Sequence, residues 1–226
     1  MRARRGPRRS SILGWTVVGL FAAALVVATV TTEDGELRPG DRGRDEDATA
    51  AFVDAWERSL LATFVRSGTF ERRSEATDAV ISSEDVLAQR PPRRLHRQLG
   101  GVQGRDDQRT ILCPAPPPDE PAADCVFGEP KGPTYDEDVH ATVTNLRALV
   151  EGPDPVYAVD RAGAGCFHLA QLRVEPRAPF GVDARFCFDA ATGAPTDTRL
   201  RYAGGVVEVL AVTELTGTVT DADLVP

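Results

Sequence analysis

Four cysteines are the side chains with the clearest chemical potential in this chain of 226 residues. They are Cys113, Cys125, Cys166 and Cys187, and no Cys-x-x-Cys spacing occurs among them. An even count in a part of the chain predicted to be exported favours disulfides over a zinc or redox site. Four cysteines allow three pairings. We favour 113–125 and 166–187, because each pair brackets a local loop or hairpin.

The sequence contains no recognisable catalytic or cofactor signature. The motifs GxSxG, HExxH, GxGxxG and the Walker A loop are all missing, so common hydrolase, metalloprotease and nucleotide sites have no support. The histidines His96, His140 and His168 share no ligand spacing. We therefore predict no catalytic residue, no metal and no cofactor. An enzyme of unfamiliar type stays a rival interpretation, because the sequence does not show which side chains lie close together in the folded protein.

A third set of residues is apolar and mostly aromatic. It comprises Phe52, Trp56, Leu60, Phe64 and Phe70. Such a set is either ordinary core between a helix and a sheet or the wall of a cavity apolar enough to hold an acyl chain. Both interpretations stay open from the sequence alone, and these five residues are the candidate ligand cavity.

The N-terminus has the pattern of a membrane anchor. Five arginines and no acid precede Ile12–Val30, a run of 19 residues without charge. At about 1.5 Å per residue this run reaches about 28 Å, close to the hydrocarbon thickness of a bilayer. The positive-inside bias then places residues 1–11 in the cytoplasm and a single span at 12–31. A cleaved signal peptide and a twin-arginine signal are the alternatives.

The remainder of the chain is acidic. All 34 acids but only 21 of the 26 basic residues lie beyond residue 32, so this part carries a net charge of −13. Such a charge disfavours nucleic acid as a partner. Residues 32–46 are charged and poor in apolar side chains, which predicts a flexible linker. Residues 47–226 then form an extracytoplasmic domain held at the cell membrane.

Helical and alternating periods divide this domain into helices and strands. A helix with one apolar stripe begins at Asp45 or Asp47 and ends before Gly68. Thr134 and Glu137 form a capping box for a second helix, which Gly152-Pro153 terminates. The proline-rich residues 114–133 are predicted to be a loop. Arginine-bearing strands with one solvated face follow the first helix at Thr69–Arg73, Ala79–Ser83 and up to Ile111–Cys113.

The C-terminal third is predicted to contain only strands and hairpins. The strands are Val156–Val159, Cys166–Leu172, Ala184–Asp189, Thr198–Tyr202, Val206–Val212 and Gly217–Thr220. The order of helix, strands, helix and strands without βαβ alternation indicates an α+β fold. We expect a curved antiparallel sheet, or half-barrel, packed by two or more helices.

Two stretches of the chain resemble the LolA/RseB-like superfamily, in the form of its actinobacterial members. The first joins Trp56 to Gly68-Thr69-Phe70-Glu71-Arg72-Arg73 and continues to Pro91-Pro92-Arg93-Arg94-Leu95. The second is Cys166-Phe167-His168-Leu169 with Phe186-Cys187-Phe188-Asp189. The resemblance covers residues 48–224 and implies a half-barrel with a concave apolar surface. It also implies a non-enzymatic carrier of lipids or lipoproteins, or a sensor that restrains an anti-sigma factor.

The chain departs from that superfamily in its attachment to the membrane. The exported carriers are cleaved or lipidated, whereas this sequence has no lipidation cysteine after its apolar run. A fixed anchor suits a tethered binding domain better than a shuttle. Our leading hypothesis is a domain that holds an apolar ligand, either a lipid or a lipidated partner. The alternative is an envelope-stress or signalling regulator that binds a membrane protein such as an anti-sigma factor.

Overall fold

The computed structural model describes residues 45–116, 124–175 and 178–226. Two α-helices, eleven strands and a short 3₁₀ helix (Ala222–Leu224) lie in these ranges. The helices are α1 (Glu46–Leu61) and α2 (Tyr135–Val150). The strands are β1 (Phe64–Ser74), β2 (Val80–Arg90), β3 (Arg93–Gln98), β4 (Gly101–Asp106), β5 (Arg109–Cys113), β6 (Val126–Phe127), β7 (Tyr157–Arg161), β8 (Cys166–Gln171), β9 (Asp183–Phe188), β10 (Pro195–Tyr202) and β11 (Val206–Thr216).

Helix α1 begins where the sequence predicts and ends earlier. The Asp45 carboxylate caps it by accepting a hydrogen bond from the Ala48 N–H at 2.8 Å. The helix ends at Leu61, so the prediction that it continues to Gly68 is wrong. Gly68 lies instead at a bulge of β1, where a Cβ atom would come within 2.2 Å of the Ala211 carbonyl oxygen. Close approach of a neighbouring strand therefore explains this glycine.

Helix α2 follows its sequence signals throughout. The Thr134 hydroxyl accepts from the Glu137 N–H, and the Glu137 carboxylate accepts from the Thr134 N–H, so the capping box is confirmed. The predicted apolar stripe, Val139, Val143, Leu146 and Val150, is buried. The backbone hydrogen bond from Thr134 lowers the pKa of the Glu137 carboxyl, so the capping carboxylate keeps its charge to a lower pH than an unbonded glutamate does.

All eleven strands join one open antiparallel sheet, so the predicted α+β class is confirmed and the sheet is not a closed barrel. The spatial order is β6-β5-β4-β3-β2-β1-β11-β10-β9-β8-β7. Each strand of β1–β6 neighbours the next, and so does each strand of β7–β11. The two meanders meet where β1 pairs with β11. The expected strand at Gly217–Thr220 is absent, because β11 ends at Thr216.

The main core lies between the helices and the β7–β10 end of the sheet. Phe52 of α1 contacts the rings of Phe167, Phe186 and Phe188, which stand on β8 and β9. The buried stripe of α2 belongs to the same cluster. Apolar residues from two helices and three strands therefore close one face of the sheet.

The C-terminal segment 217–226 covers part of the opposite face of the sheet, over β2, β3 and β5. Leu224 is buried against Ala88, Leu95 and Ile111. Arg93 and Arg97 of β3 donate to the carbonyl oxygens of Leu224 and Val225. The prediction that these arginine-bearing strands leave one face solvated is therefore wrong where the tail lies on β2 and β3, and it is right at the start of β2, where residues 80, 82 and 84 are exposed. The arginines there bind backbone carbonyls of the tail or face the helices.

Both favoured disulfide pairings are confirmed. Cys166 and Cys187 are directly opposite each other on β8 and β9, and Cys113 of β5 bonds Cys125. The Cys113–Cys125 disulfide holds the chain at the sheet, and the two residues after Cys125 form β6 beside β5. The interpretation of 114–133 as loop alone is therefore wrong at Val126–Phe127.

We expect removal of the Cys166–Cys187 disulfide to destabilise the domain. The bond closes a loop with a sequence separation of 21 residues. A double Cys166→Ser and Cys187→Ser variant should lose about 3 kcal/mol of unfolding free energy, because its denatured chain gains entropy. Urea unfolding measures the loss. The Cys113–Cys125 pair spans 12 residues, so its removal should have a slightly smaller effect. Equal unfolding midpoints for wild type and variant would contradict this structural role.

The predicted anchor at 12–31 and most of the predicted linker lie outside the described residues. Within the described ranges, no helix combines the length and the apolar composition of a membrane span. The described domain begins with the Asp45 cap, two residues before the predicted boundary at 47.

A candidate ligand pocket between the helices and the sheet

A cavity of about 280 Å³ lies between the two helices and the sheet. Its wall comes from both helices and from strands of both meanders. The lining residues are Trp56, Ser59, Leu60, Tyr135, Asp138, Val139 and Thr142 from the helices, and Arg66, Leu87, Arg94, Arg105, Phe186, Phe188, Pro195, Thr198 and Leu210 from the strands. The cavity is therefore mostly apolar, with a group of cationic side chains at the β1–β4 side.

The C-terminal end of α1 is fixed over this cavity by side chains from other elements. The Gln89 amide donates to the carbonyl oxygens of Ser59 and Ala62 at 2.7 and 2.8 Å. The Tyr135 hydroxyl donates to the Leu60 carbonyl oxygen at 2.6 Å. These bonds satisfy carbonyl groups that a helix end leaves without partners. They also hold Trp56 and Leu60 in place as cavity wall.

The start of α2 is attached to the sheet on the other side of the cavity. The Tyr135 N–H donates to the Asp107 carboxylate at 3.1 Å. The Arg105 guanidinium pairs with Asp138 at 2.7 Å and donates to the Pro133 carbonyl oxygen at 2.7 Å. Arg105 also lies over the Tyr135 ring. The two walls are thus held by hydrogen bonds as well as by packing.

A buried charge network lies on the same face of the sheet. Asp85 binds Arg66 through one carboxylate oxygen at 2.7 Å, and His96 and Gln98 through the other at 2.7 and 2.8 Å. The Asp85 and Arg66 side chains are only 1% and 5% exposed. Burial by itself would raise the pKa of Asp85, but its bonds to His96, Arg66 and Gln98 outweigh burial and lower it. Asp85 is therefore a carboxylate at neutral pH.

Three N–H donor groups at the cavity have no acceptor among the described residues. Arg66 Nε and Trp56 Nε1 are both buried without a hydrogen-bond partner in those ranges. Arg94 is half-buried on β3. Its guanidinium makes no hydrogen bond or ion pair with any described side chain or carbonyl, although Asp138 and Asp85 attract it electrostatically. Burial lowers the pKa of Arg94, which remains fully charged at neutral pH.

The five candidate cavity residues are only partly brought together. Trp56 and Leu60 line the cavity, and their role in holding a ligand stays a prediction. Phe52 is fully buried in the main core and does not reach the cavity. Phe64 belongs to β1 rather than to α1 and packs against Leu87 and Ala194. Phe70 is buried in β1 but is not part of the cavity wall.

Sequence reasoning missed the polar half of the cavity. Arg66, Arg94 and Arg105 stand on three separate strands, and only the pairing register brings them to one face. The Arg94 position is opposite both Gln89 and Arg105. Two arginines directly opposite each other on a helix-covered face are unfavourable unless anions compensate them. Asp138 compensates Arg105, and Arg94 has no ion pair among the described residues. In the sequence these arginines cannot be told from the solvent-facing arginines of an edge strand.

The Ser59 hydroxyl and the imidazoles of His96 and His168 have separate hydrogen-bond partners in the described ranges. The Ser59 hydroxyl donates to the Trp56 carbonyl oxygen at 2.6 Å. His96 contacts Asp85 away from the cavity wall, and His168 pairs with Asp183 on β8 and β9. His140 is exposed. In the part of the chain that the structure describes, no three His, Cys, Asp or Glu side chains cluster as metal ligands do.

No protein-family model matches the chain, and no curated protein matches it. Among solved structures, it is similar to a chain of the Pseudomonas aeruginosa MucA/MucB complex, with 16% identity and a TM-score of 0.45. That match covers 80% of this chain and 61% of the other, less than two thirds of its length. A LolA superfamily protein from Nitrosomonas europaea matches at 6% identity and a TM-score of 0.32, over 79% of this chain and 98% of the other.

A third similar structure is the putative outer membrane lipoprotein-sorting protein domain from Vibrio parahaemolyticus, with 11% identity and a TM-score of 0.26. It covers 79% of this chain and 96% of the other. The matched structures are of the LolA/RseB-like kind that the sequence resembles. The actinobacterial subtype stays a prediction.

Proposed function

We propose that this chain is a non-enzymatic, membrane-tethered binding domain that holds an apolar ligand between its helices and its sheet. The observation that carries the proposal is the cavity lined by Trp56, Leu60, Phe186, Phe188 and Leu210. Apolar clefts with a few convergent polar groups are the usual form of small-molecule sites. The tether is the anchor predicted at residues 12–31, with the domain on the extracytoplasmic side.

The size of the cavity limits the ligand. A volume of about 280 Å³ is close to the lower end of the range of about 300–1,000 Å³ that is typical of small-molecule sites. One short acyl or alkyl chain suits such a space. A bulky lipid with several chains would need the helices to separate from the sheet. The proposal is therefore a site for a single-chain amphiphile, or for one chain of a lipidated partner.

Filling the cavity should abolish ligand binding. Thr142 of α2 lines the cavity and is half-buried, so the Thr142→Trp variant places an indole in the ligand's space. Native mass spectrometry of the full-length chain, made in an oxidising compartment and extracted in mild detergent, should show a bound lipid mass in wild type. We expect the bound fraction to fall at least about tenfold in the variant, since an occluded site loses most of its contact energy.

The matched control is Thr144→Trp, at an exposed threonine of the same helix. This variant should keep the ligand mass and the wild-type unfolding midpoint. Equal ligand loss from both variants would mean that tryptophan on α2 acts through stability. If wild type shows only the mass of the ligand-free protein in several extractions, the ligand-binding function is contradicted.

The alternative function, regulation through a membrane protein partner, is favoured by one observation. Strand β6 is the last strand on one side of the sheet, and both Val126 and Phe127 are exposed, as is Leu112 on the neighbouring β5. An apolar strand edge of this kind can accept an extended segment of another protein as an added strand. An apo chain that co-purifies with one stoichiometric membrane protein would favour this function over ligand binding.

A further inference from the structure

We infer, on the premise of the proposed function, that the cavity selects an amphiphile with one short chain and an anionic head group, carboxylate or phosphate, which binds to Arg94. The head group would lie at the β1–β4 side of the cavity, among the donors of Arg94 and Arg66. The chain would extend along Phe186, Phe188 and Leu210 on the strands of the other meander.

The first argument is the set of donors that have no acceptor. Burying an N–H group without a hydrogen bond is unfavourable, and most such groups in folded proteins have a partner. Here Arg66 Nε and Trp56 Nε1 are both buried, both belong to residues of the cavity wall, and both lack an acceptor within the described ranges. Those described ranges hold no other buried, unpaired side-chain N or O atom. A ligand oxygen beside Arg66 satisfies a donor that the described residues leave unpaired, and a second polar atom of the ligand would be needed for Trp56 Nε1, whose ring contacts Phe186 and Phe188.

The second argument is charge. Three guanidinium groups line the cavity, and the carboxylates that bind them are Asp85, paired with Arg66, and Asp138, paired with Arg105. Arg94 is the arginine left without an ion pair there. The chain as a whole carries a net charge of −8, so an uncompensated cation in a partly desolvated cavity is a local exception. An anion is the ligand charge that removes this imbalance.

The third argument is geometry that fixes Arg94 relative to the apolar wall. Its strand neighbours are Gln89, which holds the end of α1, and Arg105, which holds the start of α2. The guanidinium therefore stands between the two attachments that set the width of the cavity. A planar guanidinium binds carboxylate or phosphate oxygens in pairs, so this position favours an anionic head group over a hydroxyl or an amide.

The test compares three probes of equal chain length on the full-length chain in nanodiscs of zwitterionic lipid. Equilibrium dialysis with radiolabelled decanoate, decyl phosphate and decanol gives each dissociation constant after subtraction of empty nanodiscs. Wild type should bind at least one of the two anions about tenfold or more tighter than decanol, because charge-assisted hydrogen bonds are the stronger ones. The preferred anion identifies a carboxylate or a phosphate head group.

The deciding variant is Arg94→Gln, which keeps a polar side chain of similar length. It should weaken binding of the preferred anion by about ten- to a hundredfold and change decanol binding by less than about threefold. Arg97→Gln is the matched control, because Arg97 stands on the same strand and binds the C-terminal segment on the opposite face. The control should leave all three dissociation constants unchanged. Urea unfolding of each variant identifies any loss that comes from stability.

The possible results separate this inference from the proposed function. If decanol binds wild type as tightly as both anions do, the assignment of an anionic head group is overturned and the apolar cavity is not. The same holds if Arg94→Gln weakens the binding of all three probes equally. Failure of all three probes to bind wild type overturns both. If Arg97→Gln weakens anion binding as strongly as Arg94→Gln does, the binding depends on general surface charge. That result would also overturn the assignment of the head group to Arg94.

Discussion

The Asp85→Asn variant is expected to lose about 3–5 kcal/mol of unfolding free energy, the range seen when one partner of a buried ion pair is removed. Arg66 is 5% exposed, and its only carboxylate partner among the described residues is Asp85 at 2.7 Å. The substitution keeps the shape of the side chain but leaves that guanidinium buried without a counter-charge. It also removes the charged acceptor of His96 and Gln98. Urea unfolding followed by circular dichroism measures the change.

The chain contains a matched control for this variant. His168 and Asp183 form a pair across β8 and β9 with the same 2.7 Å distance and the same diagonal register as His96 and Asp85 across β2 and β3. The Asp183 side chain is 38% exposed, however, against 1% for Asp85. Asp183→Asn should therefore change the unfolding free energy by less than about 1 kcal/mol. Similar losses in the two variants would refute the role assigned to burial.

The pH dependence of stability follows from the same network. The pKa of Asp85 is lower in the folded protein than its ordinary value of 3.8, so the folded state binds fewer protons than the unfolded state. The stabilisation from this carboxylate is fully present above that ordinary pKa and is lost as the pH falls through the folded pKa. Unfolding free energies measured from pH 7 down to pH 2 should decline more steeply below pH 3.8 in wild type than in Asp85→Asn.

The Phe52→Ala variant is expected to lose about 3–5 kcal/mol, as large-to-small changes of buried aromatic residues do. Phe52 is fully buried and contacts the rings of Trp56, Phe167, Phe186 and Phe188. No part of the cavity wall is formed by this residue, so the loss is one of core packing. Thermal and urea unfolding check the magnitude, and dialysis with the anionic probe checks that the folded fraction still binds.

Phe127→Ala is the control for the size of the deleted ring. Phe127 is 53% exposed on the edge strand β6, and its truncation should change the unfolding free energy by about 0.5 kcal/mol or less. A Phe52→Ala protein with wild-type stability and weakened ligand binding would contradict the core assignment. It would return Phe52 to the cavity wall that the sequence predicted.

Features with a local physical cause were predictable from the sequence. The capping box of Thr134 and Glu137 acts within one helical turn, and a threonine followed three residues later by a glutamate is its sequence signature. The disulfide pairs bracket short segments, so their pairing was accessible as a preference among three. The helix stripe was misleading only at its end. Leu60 and Phe64 keep a helical spacing although the chain has changed to a strand at Phe64.

Features that depend on register were not predictable from one sequence. The network of Arg66, Asp85 and His96 draws on three strands, and a shift of any strand by one residue would turn its member to the opposite face. The same holds for Arg94, whose charge looks in sequence like that of any solvent-facing arginine. The face of the sheet opposite the helices was also not predictable, because the segment around Leu224 covers strands whose composition predicts exposure to solvent.

The pairing of β1 with β11 has a consequence for how this domain is assembled during synthesis. The β1–β6 and β7–β11 meanders each consist of strands that neighbour one another in sequence, and such local contacts form early. The seam between them joins Val65 to Thr216, so it cannot form before residue 216 has been made. Until then the backbone N–H and C=O groups on one edge of β1 have no strand partner. The nascent chain is therefore most exposed to misassociation in the interval before β11 arrives.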